Sequence, residues 1–509
     1  MRNSTTKLLL SLLVTSSVTA LGCGDVANGG LLDNGPHDSG IVTHPQDSGL
    51  SHPVVDTGVP TPRPDTGTTP DTGTTTVAKD AAPDVNNGAP SSVYPAPHPP
   101  LPTLISVSGG PVLATPKVFL IFYPGYEYEQ QIISMAQTFG ATAQWTAATT
   151  EYGAGALEYA GMVELSGADA TPPATISADD ITTFLSTRLA SGVFGAPDVN
   201  TIYSIFYPET TTITLPNGPG QGNSESCQSF GGYHDDMSVT YTRGGPPPAT
   251  DGGTDAGPGV DAGPGVQLTA NFAYAVLPTC SSFPPLSGLA AVTGPVSHEW
   301  LEATTDPFPS TDNSANEAYA TLDNDHFAWV LYYQGNAEAG DLCVEESNAF
   351  YVPSGYDFTV QRTWSNVLAK GSHDPCTLNI PNLPFFDSVP VLNDSFLFAG
   401  ETIGFGGNVQ TQGVKIAVGT SQTIEVDLFS DAETNQPWDV QAFDLLSEFT
   451  NGPPTMQFAW DNTQGVNGQI LHLTITMSTA STVLGGAHPF VIVSSIGQIQ
   501  NIWPAFAFE

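Results

Sequence analysis

The sequence predicts an α/β (α+β) core domain followed by a β-sandwich, with a disordered tether in front. Between about residues 101 and 380, continuous apolar runs alternate with helical patterns. After Cys376 short alternating strands and turn residues take over. Before Leu101 the chain is rich in Pro, Gly, Thr and Asp and has little with which to build a core.

Residues 1–22 read as a signal peptide. Arg2 and Lys7 supply the positive start, and Leu8 to Val14 is apolar except for Ser11, too short a run to span a bilayer. Ala20-Leu21-Gly22-Cys23 reads as a lipoprotein cleavage site with Cys23 as the lipidated residue. The expectation is an exported lipoprotein, held by its lipid to a membrane, at the outer membrane or cell surface. Residues 23–100 form its linker. Asp-Ser-Gly or Asp-Thr-Gly recurs there at Asp38, Asp47, Asp56, Asp65 and Asp71, among Pro and Thr, as suits a flexible spacer and not an aspartic protease strand. A second low-complexity stretch, 244–266, repeats Asp-Ala-Gly-Pro-Gly-Val and reads as a surface-loop insertion.

The core opens with a buried strand, Lys117 to Tyr123, ended by Pro124-Gly125. Residues 128–148 have helical spacing through Ile132, Ile133, Met135, Ala136 and Phe139. Ser177 is placed to cap a second helix, with Asp179 and Asp180 in its first turn and Ile181, Phe184, Leu185 and Leu189 on its core face. Thr201 to Tyr207 and Ala273 to Leu277 are two more core strands. Gly232-Tyr233-His234-Asp235 reads as a turn beside Cys227 or, alternatively, as a catalytic His oriented by Asp235, and Trp329, Tyr332 and Tyr333 read as core aromatics or, alternatively, as the lining of a substrate groove. With Cys23 set aside, Cys227, Cys280, Cys343 and Cys376 remain, an even number that suits two disulfides in an exported chain. Pairing sequence neighbours gives Cys227–Cys280 and Cys343–Cys376. Thr423 to Leu428, Gln469 to Met477 and Pro489 to Ser494 typify the strands of the β-sandwich, about 385–509.

Acidic residues number 50 against 10 basic, with charged residues only 12% of the chain. The imbalance comes from scarce Lys and Arg. Such a surface repels nucleic acid, so no nucleic-acid partner is expected.

The strongest chemical signal is Ser297-His298-Glu299-Trp300-Leu301-Glu302-Ala303-Thr304-Thr305-Asp306-Pro307. Four residues apart on a helix, His298 and Glu302 stack on one face within reach of one metal ion. Glu299 stands where zinc proteases keep their general base, and Glu302 replaces the second His of H-E-x-x-H; a carboxylate is still a zinc ligand, at about 2.0–2.2 Å. A third ligand is needed. Asp341 and Glu338, near Cys343, are favoured, and Asp306, His234 and His326 are the other candidates. Zinc is the expected ion. Calcium in a structural site is the alternative if Glu302 and Asp306 dominate the binding.

Several blocks occur in a familiar order: Glu151-Tyr152-Gly153-Ala154-Gly155, Gly231-Gly232-Tyr233-His234, Tyr274-Ala275-Val276-Leu277-Pro278, the His298 helix, and Gly335-Asn336-Ala337-Glu338-Ala339-Gly340-Asp341-Leu342-Cys343. In this order they resemble bacterial relatives of the plant phosphate-induced, EXORDIUM-like secreted proteins. Those relatives carry a similar His-Glu-x-x-Glu-Ala-x-Thr-Asp-Pro helix and a later Glu-Ile-Gly-Asp-x-Cys segment, where Ala339 stands here for Ile. The resemblance covers about 105–380 and implies a secreted, cell-surface protein. Together with the helix it gives two expectations. One is a zincin-like, zinc-dependent hydrolase acting on polypeptide or a surface polymer. The other is a non-catalytic binding or structural module.

Overall fold

The computed structural model describes residues 88–106, 109–216, 223–243, 266–309, 317–333, 337–399, 408–450, 452–480 and 484–509. The signal peptide, Cys23 and nearly all of the 23–100 linker and the 244–266 insertion lie outside these residues.

Five strands lie side by side in the order Glu158–Glu164, Lys117–Phe122, Thr201–Tyr207, Val266–Pro278, Tyr233–Arg243. The first four run parallel, and the last pairs antiparallel with Val266 to Val276 of the strand before it. Period-2 alternation sorts the side chains of the central strands. Val118, Leu120, Phe122, Ile202 and Phe206 face one side; Ile121, Tyr203, Ile205 and Tyr207 face the other. The first side is covered by the helices Glu129–Thr138, Ala143–Thr149 and Ala290–Thr305, the second by Ala178–Ala190, so the core is a three-layer α/β/α arrangement.

Local chemistry explains the elements. Ser177 caps Ala178–Ala190 by accepting from the Asp180 N–H at 3.2 Å, as its position predicts. The single helix expected over 128–148 is broken. A Cβ on Gly140 would lie 2.2 Å from the Leu157 carbonyl oxygen, so glycine lets the chain pass there. Thr142 then caps a new helix by accepting from the Trp145 N–H. Tyr233–Arg243 is a strand, where a turn was expected at Tyr233 to Asp235. Its register with Val266–Pro278, Tyr233 opposite Val276 and Arg243 opposite Val266, makes a long hairpin whose connection is the insertion. Both expected disulfides are present, Cys227–Cys280 and Cys343–Cys376.

The C-terminal strands form two sheets. One has the order Phe386–Pro390, Ser421–Ser430, Ile470–Met477, Met456–Trp460, all antiparallel. The other has the order Asp394–Ala399, Asn408–Lys415, Ile499–Phe508, Ala487–Ile496, Trp438–Asp444, Gln464–Gly465. They meet through Trp438, which packs at a tilt against Phe386 and donates to Ser388 Oγ at 3.0 Å. The aromatic residues read as core are core: Trp329 packs edge-on against Trp364 and Trp503. Residues 88–100 fall inside the stretch read as linker, yet they lie against these sheets. Asn467 accepts from the Ala96 N–H and donates to the carbonyls of Ser91 and Val93, and His98 stacks on Phe429. Proline-rich composition hides this, because the segment is held by one asparagine and one ring rather than by a periodic apolar face.

Asp387 is buried where the sheets meet and accepts from the Ser388 N–H and from Ser494 Oγ. Burial pushes its carboxyl up to about 7, against those two hydrogen bonds, from an ordinary value of 3.8. Between these values the folded chain holds a proton that the unfolded chain has released. Stability from this group is therefore full below about pH 4 and falls as pH rises to about 7. Asp387→Asn should remove that slope. Relative to the parent, the variant should gain a few kcal/mol between pH 4 and 7, at about 1.4 kcal/mol per pKa unit. Denaturant unfolding across that range checks it, and a parent–variant difference that does not move with pH would refute it.

Candidate metal centre

The Ala290–Thr305 helix carries the motif, and every residue from Ala291 to Thr305 is buried. Trp300 donates from Nε1 to Ser204 Oγ at 2.9 Å, which fixes the helix to the central strand Thr201–Tyr207. That contact turns the opposite face, with His298 and Glu302, towards the Ala337–Cys343 segment, and leaves Glu299 towards the edge strand.

His298 Nε2 lies 2.7 Å from Glu302 Oε2 and 3.7 Å from Asp341 Oδ1. Each of the three residues offers one ligand atom, and the three atoms lie within 4.8 Å of one another. Ligands at about 2.0–2.1 Å in a tetrahedral site stand roughly 3.4 Å apart, so the spacing suits one ion. Asp341, expected as a third ligand, is therefore brought to the pair.

The surroundings orient these groups. Gln361 donates from Nε2 to the Gly340 carbonyl at 2.7 Å, which turns its Oε1 to His298 Nδ1 at 3.0 Å. An acceptor there places the proton on Nδ1 and leaves Nε2 as the electron-pair donor. Glu302 Oε1 accepts from the N–H groups of Gly340 and Asp341 at 2.9 and 3.2 Å, so Oε2 faces the imidazole.

His234, on the edge strand, enters from the other side. Its Nε2 meets the Asp306 carbonyl oxygen at 3.2 Å, an acceptor that fixes the proton on Nε2. Its Nδ1 faces Glu299 Oε2 at 3.4 Å and Glu302 Oε2 at 3.9 Å. His234, Glu299 and Glu302 form a second group with ligand atoms within 4.8 Å of one another. Glu299 Oε1 is buried and has no hydrogen-bond partner.

The remaining candidates take other places. Glu338 Oε2 is 3.6 Å from His234 Nε2, the proton-bearing nitrogen, and so lies behind the ring. Asp306 is the C-cap of the helix, which ends before Pro307; its Oδ1 accepts from the Ala318 N–H at 2.8 Å, and burial raises its carboxyl. It belongs to neither ligand group, which removes the premise for an all-oxygen calcium site built on Glu302 and Asp306. His326 belongs to neither group and is turned elsewhere: its Nδ1 bonds Asp323 Oδ1 at 2.7 Å, its ring meets Trp503 edge-on, and it neighbours Pro100. Gln361 was missed, and nothing local in the sequence marks it. His234, one of the other candidates, joins the second group; the alternation of Tyr233, Met237 and Val239 down one strand face is the signal that puts it on the other.

No family model matches the chain, and no curated protein matches it. Among solved structures, domains 4 and 5 of the S-layer protein SbsC share 17% identity over 24% of this chain and 47% of that one, at a TM-score of 0.14. The titin M3 domain shares 9% over 25% and 94%, at 0.14. A family 123 glycoside hydrolase from Clostridium perfringens shares 8% over 24% and 27%, at 0.15. The chain spans about half the length of the S-layer fragment, and similarity this low carries no argument about function.

A Cβ on Gly340 would stand 2.6 Å from His298 Nδ1 and 2.7 Å from Glu302 Oε1. Gly340→Ala should therefore displace both. Thermal unfolding with and without zinc tests this. The parent should gain about 2.7 kcal/mol at a free ion concentration 100 times Kd, and the variant less than half of that. An equal gain in both proteins would contradict the crowding.

Proposed function

We propose that this protein is an exported, zinc-dependent hydrolase of the peptidase kind, with its ion held by His298 Nε2, Glu302 Oε2 and Asp341 Oδ1. The observation that carries the reading is the junction of that buried triad with Glu299, whose Oε1 has no hydrogen-bond partner beside it. One imidazole and two carboxylates form a donor set suited to zinc, and a bound zinc ion supplies Lewis acidity to a carbonyl group. The chain's own residues do the rest. Glu299 accepts a proton from the attacking water at Oε1 and passes it to the departing amine. The water oxygen bonds to the carbonyl carbon, the C–N bond breaks, and acid and amine leave. His234, fixed by the Asp306 carbonyl, stands beside Glu299 with its Nδ1 3.4 Å from Oε2. Two disulfides suit an extracellular protein, and among the described residues no helix is long and apolar enough to cross a membrane. The lipid anchor at Cys23, the zincin-like kinship of the core and the EXORDIUM-like resemblance belong to this same proposal.

A second reading has its own observation. His298, Glu299, Glu302 and Asp341 are all 5% exposed or less. An ion so enclosed would tie the helix to the Ala337–Cys343 segment and serve a non-catalytic surface module.

Glu299→Gln separates the two. Under the hydrolase reading it lowers kcat on an unfolded polypeptide by about 100-fold or more, the usual contribution of a general base, while EDTA still lowers the melting temperature of the variant. Unchanged turnover in the variant would sink the catalytic role. A parent destabilised by EDTA that cleaves nothing would support the structural role.

A further inference from the structure

We infer that this centre is built for two metal ions bridged by Glu302, the second held by His234 Nδ1, Glu299 Oε2 and Glu302 Oε2. The inference rests on the proposed metal site at His298 and adds a second position to it.

Three observations carry it. First, two separate groups of ligand atoms meet the spacing for an ion, and Glu302 is the one residue they share. Its Oε1 is taken by two backbone N–H groups, so Oε2 is the atom that faces both rings, at 2.7 Å from His298 Nε2 and 3.9 Å from His234 Nδ1. One carboxylate oxygen between two imidazoles suits a pair of ions about 3.5–4 Å apart.

Second, the two histidines are prepared alike. Each gives its proton to an acceptor outside the cluster, Gln361 Oε1 for His298 and the Asp306 carbonyl for His234. Each thereby aims an electron pair at Glu302, and a protonated ring would instead be a donor at both ends. A structural histidine needs no such arrangement on its inner nitrogen. Glu299 Oε1, buried and without a hydrogen-bond partner, adds a polar atom turned into the same position.

Third, the density of buried carboxylates favours it. Glu299, Glu302, Glu338, Asp341 and Asp306 are buried around two neutral imidazoles. Isolated carboxylates transferred to such surroundings cost several kcal/mol each unless paired. A cation at each of the two positions would offset part of that cost. Each set has one nitrogen and two oxygens, which favours zinc, manganese or iron over calcium.

The second ion also alters the reading of Glu299, which then holds that ion through Oε2 while Oε1 stays open for the proton. Metal counting tests the inference without relying on activity. The purified full chain is loaded with zinc, freed of excess, and analysed by elemental mass spectrometry beside His234→Ala, His298→Ala and Glu302→Gln. Two equivalents are expected in the parent, one in each histidine variant and none or a trace in Glu302→Gln. Where His234→Ala fails to fold by circular dichroism, Glu299→Gln, which keeps the side-chain shape, is read in its place and should hold one. A single equivalent in the parent, unaffected by the His234 or Glu299 substitution, would overturn the second site and leave the first standing. A single equivalent lost with His234 and kept with His298 would overturn the pair as assigned. No zinc in the folded parent would overturn the metal reading itself.

Discussion

The constraint on which the rest of the structure depends is the enclosure of carboxylates. Glu302 is 2% exposed and four other acids crowd the same interior. Water cannot stabilise them there, so the protein must do so with oriented donors and, on our reading, with cations. Three distant pieces of chain converge for that purpose. The helix brings Glu299 and Glu302, the hairpin edge brings His234, and the Ala337–Cys343 segment brings two backbone N–H groups and Asp341. The Cys343–Cys376 bond closes the last piece onto the chain that follows Gln361, the residue that orients His298. Structural and chemical demands thus fall on the same atoms.

Such convergence is possible only where side chains give way. The helix is buried around its whole circumference, which needs small residues on the elements that touch it. A Cβ on Gly231 would meet Pro295 at 2.9 Å, one on Gly232 would meet Glu299 at 3.1 Å, and one on the helix's own Gly294 would meet Leu286 at 2.6 Å. These glycines are needed for closeness; none of them has the positive φ that would make backbone conformation the reason. They also explain the glycines of two of the blocks noticed in the sequence. Gly231-Gly232 clears the helix just before His234, and Gly340 clears His298 just before Asp341. A glycine one or two residues before a ligand lets the backbone approach so that the ligand side chain can reach inward.

What was legible in the sequence follows from the range of the interactions. His298 and Glu302 are one helical turn apart, and their pairing could be read directly. Asp341 was legible because a short glycine-bearing segment ahead of a cysteine restricts where it can sit. Sheet partners are another matter. His234 lies opposite Ala275, and a strand beginning directly after two glycines and a disulfide neighbour looks like a turn. Gln361 acts through a hydrogen bond to a residue 63 positions away. Single amides of this kind carry no periodic signal. The same limit hid the edge strand Glu158–Glu164, whose alternation is weak because none of its residues is fully buried. It also hid the packing of residues 88–100, which depends on Asn467.

The overall charge connects to the centre in a way that neither shows alone. A chain with 50 acidic and 10 basic residues has few cations of its own to place beside a buried carboxylate. Two of its arginines are committed elsewhere: Arg362 to Asp374 and Asn348, Arg188 to Asp169. The ion-pair partners of Glu299, Glu302 and Asp341 described above are histidines. Histidine fixed as a neutral donor cannot neutralise them. An anionic surface, however, draws divalent cations from the medium and raises their local concentration. An exported protein with this composition is therefore suited to take compensating charge from outside, as ions, rather than to carry it as side chains. Fixed cationic partners would hold the carboxylates permanently, whereas ions leave coordination positions open for chemistry.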